Sequence, residues 1–293
     1  MRLTLLGFGL IGGSIALALG KRPDRDWRIT AWSRSLEGPR RALARGLVAA
    51  VAPDPETAVR DADLVVLAAP PLANLDLLDH LGPGLAGRDV TLSDVSSVQG
   101  PIADRAGRIA GLRFVGGHPM SGRERRGFGA ATADLFAGRP WVLVPSPGAG
   151  PADLQRVRGL AVDCGADPLE LEADTHDRAV AAISHLPLVL SVALAEAVVD
   201  DPSWPLARRL SAQGWRDNTR LARGDPALGA GILSLNGAEI RRWLTGLVSG
   251  LAAWDESLAA LSATPTESEE RAAAVAALED RLGRVAAGLE AER

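Results

Sequence analysis

The stretch Gly7-Phe8-Gly9-Leu10-Ile11-Gly12 constrains this chain most, because it lies between an apolar run, Leu3-Thr4-Leu5-Leu6, and a helical pattern from Ile11 to Gly20. Glycine at the first position permits a tight turn, and at the second it lets the backbone approach a pyrophosphate. At the third it lets the helix pack closely on the strand, whose neighbouring helix N-terminus then offers free N–H groups to phosphate. Gly7, Gly9, Leu10, Ile11 and Gly12 are therefore expected around a dinucleotide. The competing reading is a glycine turn with only a structural use.

The second strand, Arg28 to Trp32, ends in Ser33-Arg34-Ser35 with no acidic residue for a ribose 2′-hydroxyl. Two hydroxyls and a guanidinium suit a 2′-phosphate, which arginine grips in bidentate fashion. NADP is the expected cofactor; NAD stays possible if Arg34 only stacks on adenine. Further strand patterns follow at Val48 to Val51, Leu64 to Ala69, Val90 to Ser93, Arg113 to Val115, Trp141 to Val144 and Pro168 to Leu171. Asp54-Pro55 reads as a helix cap with proline at the first position. Strands alternating with helices predict an α/β fold, a Rossmann-type doubly wound and mostly parallel sheet. Ligands of such sheets bind outside the strands' carboxyl ends. Ala69, Pro70 and Asp94 therefore join the expected cofactor set, and Ser97 and His118 face its reactive end.

His118 stands in Phe114-Val115-Gly116-Gly117-His118-Pro119-Met120-Ser121-Gly122, held between a glycine and a proline where the strand is expected to end. It is one of four histidines and a candidate general base, against the plainer reading of a histidine that satisfies a turn. From about Ala173 strands give way to helices: Asp174 to Val199, Trp204 to Ala212, Pro226 to Leu235, Asn236 to Leu261 and Glu267 to Ala291. The expected domains are a dinucleotide-binding domain, 1–172, and an all-helical substrate-binding and dimerisation domain, 173–293. Val275, Leu278, Leu282, Val285 and Leu289 recur at helical spacing on the last helix and favour a homodimer.

A net charge of −4 argues against a nucleic-acid partner. The one cysteine, Cys164, leaves no internal disulfide or multi-cysteine metal site, and no metal is expected. No apolar run is expected to reach the ~18–20 residues of a membrane span. The early glycines suit a turn and not a signal peptide. The expected location is cytoplasmic.

Three features of the helical half look chemical. Ser184-His185-Leu186-Pro187 sits in an apolar helix, and Pro187 predicts a kink beside His185; the alternative is a core histidine bonded to a carbonyl. Asp217 and Arg220 stand three apart, so the carboxylate can orient a guanidinium that grips a substrate anion; the alternative is a surface ion pair of little energetic weight. Asp225-Pro226 reads as a helix start. His176 and His80 lie in polar surroundings and are expected to be exposed.

In this order, Gly7-x-Gly9-Leu-Ile-Gly12-Gly-Ser, Asp94-Val-Ser-Ser97-Val, Gly-Gly-His118-Pro-Met-Ser-Gly, Ser184-His185-Leu-Pro and Arg216-Asp217-x-x-Arg220 resemble the prephenate and arogenate dehydrogenases of tyrosine biosynthesis. The resemblance covers nearly the whole chain. It implies an oxidative decarboxylation, in which hydride leaves C4 of a cyclohexadienol for NAD(P), the ring carboxylate departs as CO2 and the ring becomes aromatic. It implies that His118 takes the 4-hydroxyl proton, which an ordinary histidine pKa of ~6.5 allows. Ser97 would position that hydroxyl, Arg220 would hold a substrate carboxylate with support from Asp217, and Ser184 and His185 would face the substrate. Glu124 matches an acidic residue at the pocket mouth of some members. Many prephenate-using members have a second histidine three residues after the first, where this chain has Leu188; several arogenate-using relatives are also apolar there. Arogenate is therefore the favoured substrate and prephenate the alternative. A β-hydroxyacid dehydrogenase or imine reductase would share the architecture but usually needs a helical-domain lysine, and the sole lysine is Lys21. A non-catalytic nucleotide sensor would need an output module, and none is visible.

Overall fold

A computed structural model of the chain describes residues 1–22, 24, 26–123 and 125–291. Two compact units divide it, Met1–Ile240 and Arg241–Arg293. The first carries β1 (Arg2–Leu6), α1 (Leu10–Leu19), β2 (Arg28–Trp32), α2 (Glu37–Ala44), β3 (Ala50–Val51), α3 (Pro55–Val59), β4 (Leu64–Leu67) and α4 (Pro71–Leu85). It continues with β5 (Thr91–Asp94), α5 (Gly100–Gly107), β6 (Phe114–Pro119), β7 (Pro140–Pro145), α6 (Pro151–Asp163) and β8 (Asp167–Glu170). The eight strands form one sheet in the order β3-β2-β1-β4-β5-β6-β7-β8. Neighbours run parallel except β6 against β7. The doubly wound sheet expected from the βα alternation is thus present.

The strand sequences explain the layers. Every residue of β4, Leu-Val-Val-Leu, is buried, as a parallel strand covered on both faces requires. Leu64 and Val66 join one core with Leu3, Leu5, Ile15, Trp141 and Leu160; Val65 and Leu67 join the other with Leu6, Leu78, Leu92 and Phe114. Each fully buried side chain of this kind contributes about 1.5–3 kcal/mol relative to exposure. At the β1–α1 turn Gly7 has φ +107°, and a Cβ there would overlap the Ala68 carbonyl at the end of β4. Asp54 accepts from the Thr57 N–H at 2.6 Å and caps α3 as expected.

One expectation about β6 is corrected. The strand does not end at Val115; it continues to Pro119, with His118 opposite Val142 of antiparallel β7. Pairing with β7 supplies the extra ladder. The two glycines are therefore packing sites and not a turn. A Cβ on Gly116 would strike Gln99 Oε1, and one on Gly117 would lie 2.6 Å from the Asp94 carbonyl oxygen and 3.0 Å from Trp141 Nε1.

Beyond β8 the first unit is helical: α7 (Ala173–Val180), α8 (Leu186–Val199), α9 (Trp204–Leu210), α10 (Gln213–Asn218) and α11 (Pro226–Leu235). The single helix expected over 174–199 is broken by a π-helical turn, Ala181–His185, directly before Leu186-Pro187. Proline lacks an N–H and crowds the carbonyl four residues back, so the chain takes up a wider turn there. The run Ala173–Val199 also corrects the expectation that no apolar stretch reaches span length. It is long and apolar enough by composition, with mean hydropathy 1.9, yet it buries the polar His176, Asp177 and His185 within the fold. Last come α12 (Gly237–Ala263) and α13 (Glu269–Glu290). Within the second unit the Arg281 guanidinium lies 4.0 Å over the Trp254 ring, and Arg271 donates to the Leu261 carbonyl at 2.6 Å. Val275, Leu282, Val285 and Leu289 are exposed on α13.

Candidate functional site

The carboxyl ends of β1, β2 and β4 and the first half of α4 enclose a cavity of about 540 Å3. Gly7, Gly9, Ser33, Arg34, Ser35, Ala69 and Pro70 line it, as the sequence suggested, and Leu10 and Ile11 are half-buried on the first turn of α1. A Cβ on Gly9 would meet only open space, whereas one on Gly12 would strike the Gly7 carbonyl. The Ser33 hydroxyl donates to the Ser35 carbonyl, and the Ser35 hydroxyl accepts from the Glu37 N–H at 3.4 Å. This open, glycine-floored groove at the strand switch point fits a dinucleotide. Phe8, Trp32, Asp76, Leu77 and His80 also line it, and no motif signalled them. His80 is exposed, as expected, and pairs with Glu56.

Asp94 does not join that lining. It is 0% exposed, and its carboxylate accepts from the N–H groups of Gly117 and Ser96, both at 3.0 Å, and from Gln99 Nε2 at 3.4 Å. Burial pushes its pKa up to about 6 against these hydrogen bonds, chiefly those from Ser96 and Gly117. The expectation that Asp94 touches the cofactor is corrected: with no exposed surface, it ties β5 to β6 beside His118.

His118 is buried to 9% exposure, and its Nδ1 lies 2.8 Å from Nε2 of His176. The two rings meet edge to face, 5.0 Å apart. His176 Nδ1 lies 2.7 Å from Asp177 Oδ1. That carboxylate also accepts from the Gln99 and Gly100 N–H groups, both at 2.8 Å, at the start of α5. The expectation of an exposed His176 is therefore corrected. It is 1% exposed, because α7 turns this side chain inward onto β6. A helical pattern with histidine next to aspartate reads as polar, and only the tertiary packing reveals it as the second member of a chain of rings.

His185 is also 1% exposed; Asn236 Nδ2 lies 3.1 Å from its Nδ1 and donates to the Asp177 carbonyl at 2.9 Å. Among the described residues His185 Nε2 is buried without a side-chain partner, and the Ser97 backbone lies against the ring. Burial, with smaller contributions from the neighbouring His176 and His185 rings, holds His118 down to about 3, so its ring is neutral at physiological pH. His185 is held down to about 4, again by burial first, while the Asp177 charge and the Ser97 backbone act the other way. The ordinary histidine pKa expected for His118 is thus corrected by desolvation.

Ser97 is half-buried in the loop after β5, and Ser184 is exposed on the π turn. Leu188 is half-buried and packs beside Gly229 of α11, where an added Cβ would lie 3.6 Å from Leu188 Cδ2. Arg220 is exposed where α10 gives way to a 3-10 turn, Leu221–Arg223, which is tied to α8 by the Ala222 N–H donating to Ser191 Oγ at 3.0 Å. The Asp217 carboxylate accepts from Gln213 Nε2 at 2.7 Å. Glu124 lies outside the described residues.

Comparison with known proteins matches residues 15–169 to the prephenate dehydrogenase nucleotide-binding domain and residues 172–262 to the prephenate dehydrogenase dimerization domain. The chain belongs to the prephenate dehydrogenase family. The two family matches meet between β8 and α7, where strands end and helices begin. The prephenate dehydrogenase of Bacillus subtilis (strain 168) is 32% identical over 238 residues, 80% of this chain and 64% of that protein. This chain thus spans about two thirds of that relative's length. The crystal structure of Synechocystis arogenate dehydrogenase is 27% identical with a TM-score of 0.72, covering 97% of this chain and 100% of that one. A family structure from A. aeolicus, in complex with hydroxyphenyl propionate and NAD+, shares the fold at TM-score 0.81 and 23% identity, covering 97% and 98%.

Proposed function

We propose that this family member oxidatively decarboxylates arogenate to tyrosine or prephenate to 4-hydroxyphenylpyruvate, with arogenate and NADP favoured. The observation that carries the reading is a buried, neutral histidine, His118, beside the carboxyl edge of a dinucleotide-binding sheet, engaged through Nδ1 and making no hydrogen bond through Nε2 among the described residues. The nicotinamide, when bound, supplies the hydride acceptor. As hydride leaves C4, its hydroxyl becomes that of a protonated ketone, a strong acid. A weakly basic imidazole such as His118 therefore suffices to take its proton. Ser97 positions that hydroxyl. Arg220 holds a substrate carboxylate, its segment anchored on α8 through Ser191, and Asp217 shapes the same turn. His185 and the neighbouring Ser184 and Leu188 meet the rest of the substrate.

Arg34 and the serines at the end of β2 support NADP, through a guanidinium and hydroxyls offered to a 2′-phosphate. Asp76, in the same groove, favours a second reading of dual NAD and NADP use, since a carboxylate accepts from ribose hydroxyls. Leu188 supports arogenate by offering no hydrogen bond at a position where many prephenate users have histidine. A homodimer is consistent with the dimerization-domain match and the exposed apolar residues of α13. A cytoplasmic location accords with a single buried thiol, Cys164.

The test is turnover of each substrate with each cofactor, followed at the reduced-nicotinamide absorbance. Arogenate with NADP is expected to give the highest kcat/KM. Higher kcat/KM with prephenate and NAD overturns the preference, and no reduction with either substrate overturns the activity.

A further inference from the structure

Asp177 touches both buried site histidines' neighbours, through two different groups. Its two carboxylate oxygens accept from the Gln99 and Gly100 N–H groups, one each, at 2.8 Å. Its remaining close partner is His176 Nδ1 at 2.7 Å, which must therefore donate. With the His176 ring proton on Nδ1, its Nε2 offers a lone pair, and the group 2.8 Å away, His118 Nδ1, carries the proton between them. The main-chain carbonyl of Asp177 fixes the other side. It can only accept, so the Asn236 atom at 2.9 Å is the amide nitrogen. The same NH2 group faces His185 Nδ1 at 3.1 Å, which must accept and leaves the His185 proton on Nε2.

We propose that His176, Asp177 and Asn236 are positioning residues that lock the two site histidines in opposite tautomers, His118 protonated on Nδ1 and His185 on Nε2. His118 thereby presents a lone pair to the substrate hydroxyl through Nε2. His185 presents an N–H donor at Nε2, a buried nitrogen that makes no side-chain hydrogen bond among the described residues and whose ring lies against the Ser97 backbone in the loop after β5. The catalytic use rests on the oxidative decarboxylation proposed above; the tautomers do not. When His118 takes up a proton at Nε2, its Nδ1–H already donates toward His176, and the new positive charge is stabilised through that ring by the Asp177 carboxylate. The arrangement uses a histidine where better-known triads connect base and carboxylate directly.

With four histidines in the chain, long-range 1H–15N correlation spectra of protein labelled with 15N-histidine report each tautomer directly. Peaks are assigned by loss in His118→Asn, His176→Gln and His185→Gln. The expected result at neutral pH is Nδ1–H for His118 and His176 and Nε2–H for His185. Nε2–H on His118, or Nδ1–H on His185, overturns the proposal, and this wild-type measurement requires neither turnover nor a carboxylate variant. In Asp177→Asn the amide can donate to His176 Nδ1, reversing the chain. His118 should then shift to Nε2–H, and kcat should fall at least about 100-fold with KM changed far less. A folded Asp177→Asn protein in which His176 has moved its proton to Nε2 while His118 stays in the Nδ1–H form also overturns it. Loss of turnover with unchanged wild-type tautomers would fault the assigned reaction chemistry and leave the lock standing.

Discussion

The main-chain N–H of Gly117 donates to Asp94 Oδ1 at 3.0 Å, so a buried carboxylate on β5 holds the residue that precedes His118 on β6. His118 is thus positioned from behind by the sheet as well as from the side by His176. The space at Gly117 is closed: an added Cβ would lie 2.6 Å from the Asp94 carbonyl oxygen. Gly117→Ala is expected to cost about 1–3 kcal/mol through overpacking against backbone. The midpoint of urea unfolding reads this, and an unchanged midpoint refutes the packing account.

His118→Asn keeps the approximate shape but loses the basic nitrogen. Turnover is expected to drop by roughly 10²–10⁴, the usual contribution of a general base, with dinucleotide affinity unchanged. Near-normal turnover removes His118 from the base role.

Desolvation sets the pH behaviour. His118 at about 3 and His185 at about 4 are depressed below the ordinary 6.5. The unfolded chain binds protons there that the folded one refuses, so their contribution is complete above about 6.5 and is lost as pH falls. Asp94, raised from 3.8 to about 6, acts oppositely, its contribution falling as pH rises between those values. Two larger histidine shifts outweigh one carboxylate shift. The Tm is expected to decline from pH 6.5 toward 4, and a Tm higher at pH 5 than at pH 7 contradicts this balance. The ionisation of His118 should also be absent from the kcat/KM profile near the ordinary histidine value of 6.5.

Arg34 is exposed at the rim of the groove. A charge-assisted bond to a 2′-phosphate is worth about 1.5–3 kcal/mol. Arg34→Ala should therefore raise KM for NADP about tenfold or more, while KM for NAD changes by less than about twofold. Equal effects on both cofactors would mean that Arg34 stacks on adenine instead.

Leu188 sits one helical turn beyond His185 on the π-turn and α8 segment. Leu188→His restores a donor at that position and is expected to raise kcat/KM for prephenate relative to arogenate. An unchanged ratio of the two substrates assigns side-chain recognition elsewhere.

The glycine pattern from Gly7 to Gly12 was legible because each glycine answers a local demand: a positive φ at Gly7, and close approach at Gly7 and Gly12. Asp54, a cap read from its proline, was legible for the same reason. The groove lining by Asp76, Leu77 and His80 was not, since these residues arrive from α4, far along the chain from the glycines. Gly116 and Gly117 were visible as a feature but were misread as a strand end. Their neighbours are Gln99, Asp94 and Trp141, which no local pattern connects to them.

Chain order and residue type by themselves determined the doubly wound sheet, the switch to helices after β8, and the candidacy of His118, because periodicity and glycine placement act over a few residues. The tertiary structure alone decided how His118 is tuned. The antiparallel partner β7 keeps it inside a strand, and burial lowers its pKa. His176 and Asp177, 58 residues and more away along the chain, reach its Nδ1 only when α7 packs against β6. Desolvation and hydrogen-bond direction depend on what surrounds a ring in space, and a one-dimensional pattern does not encode them.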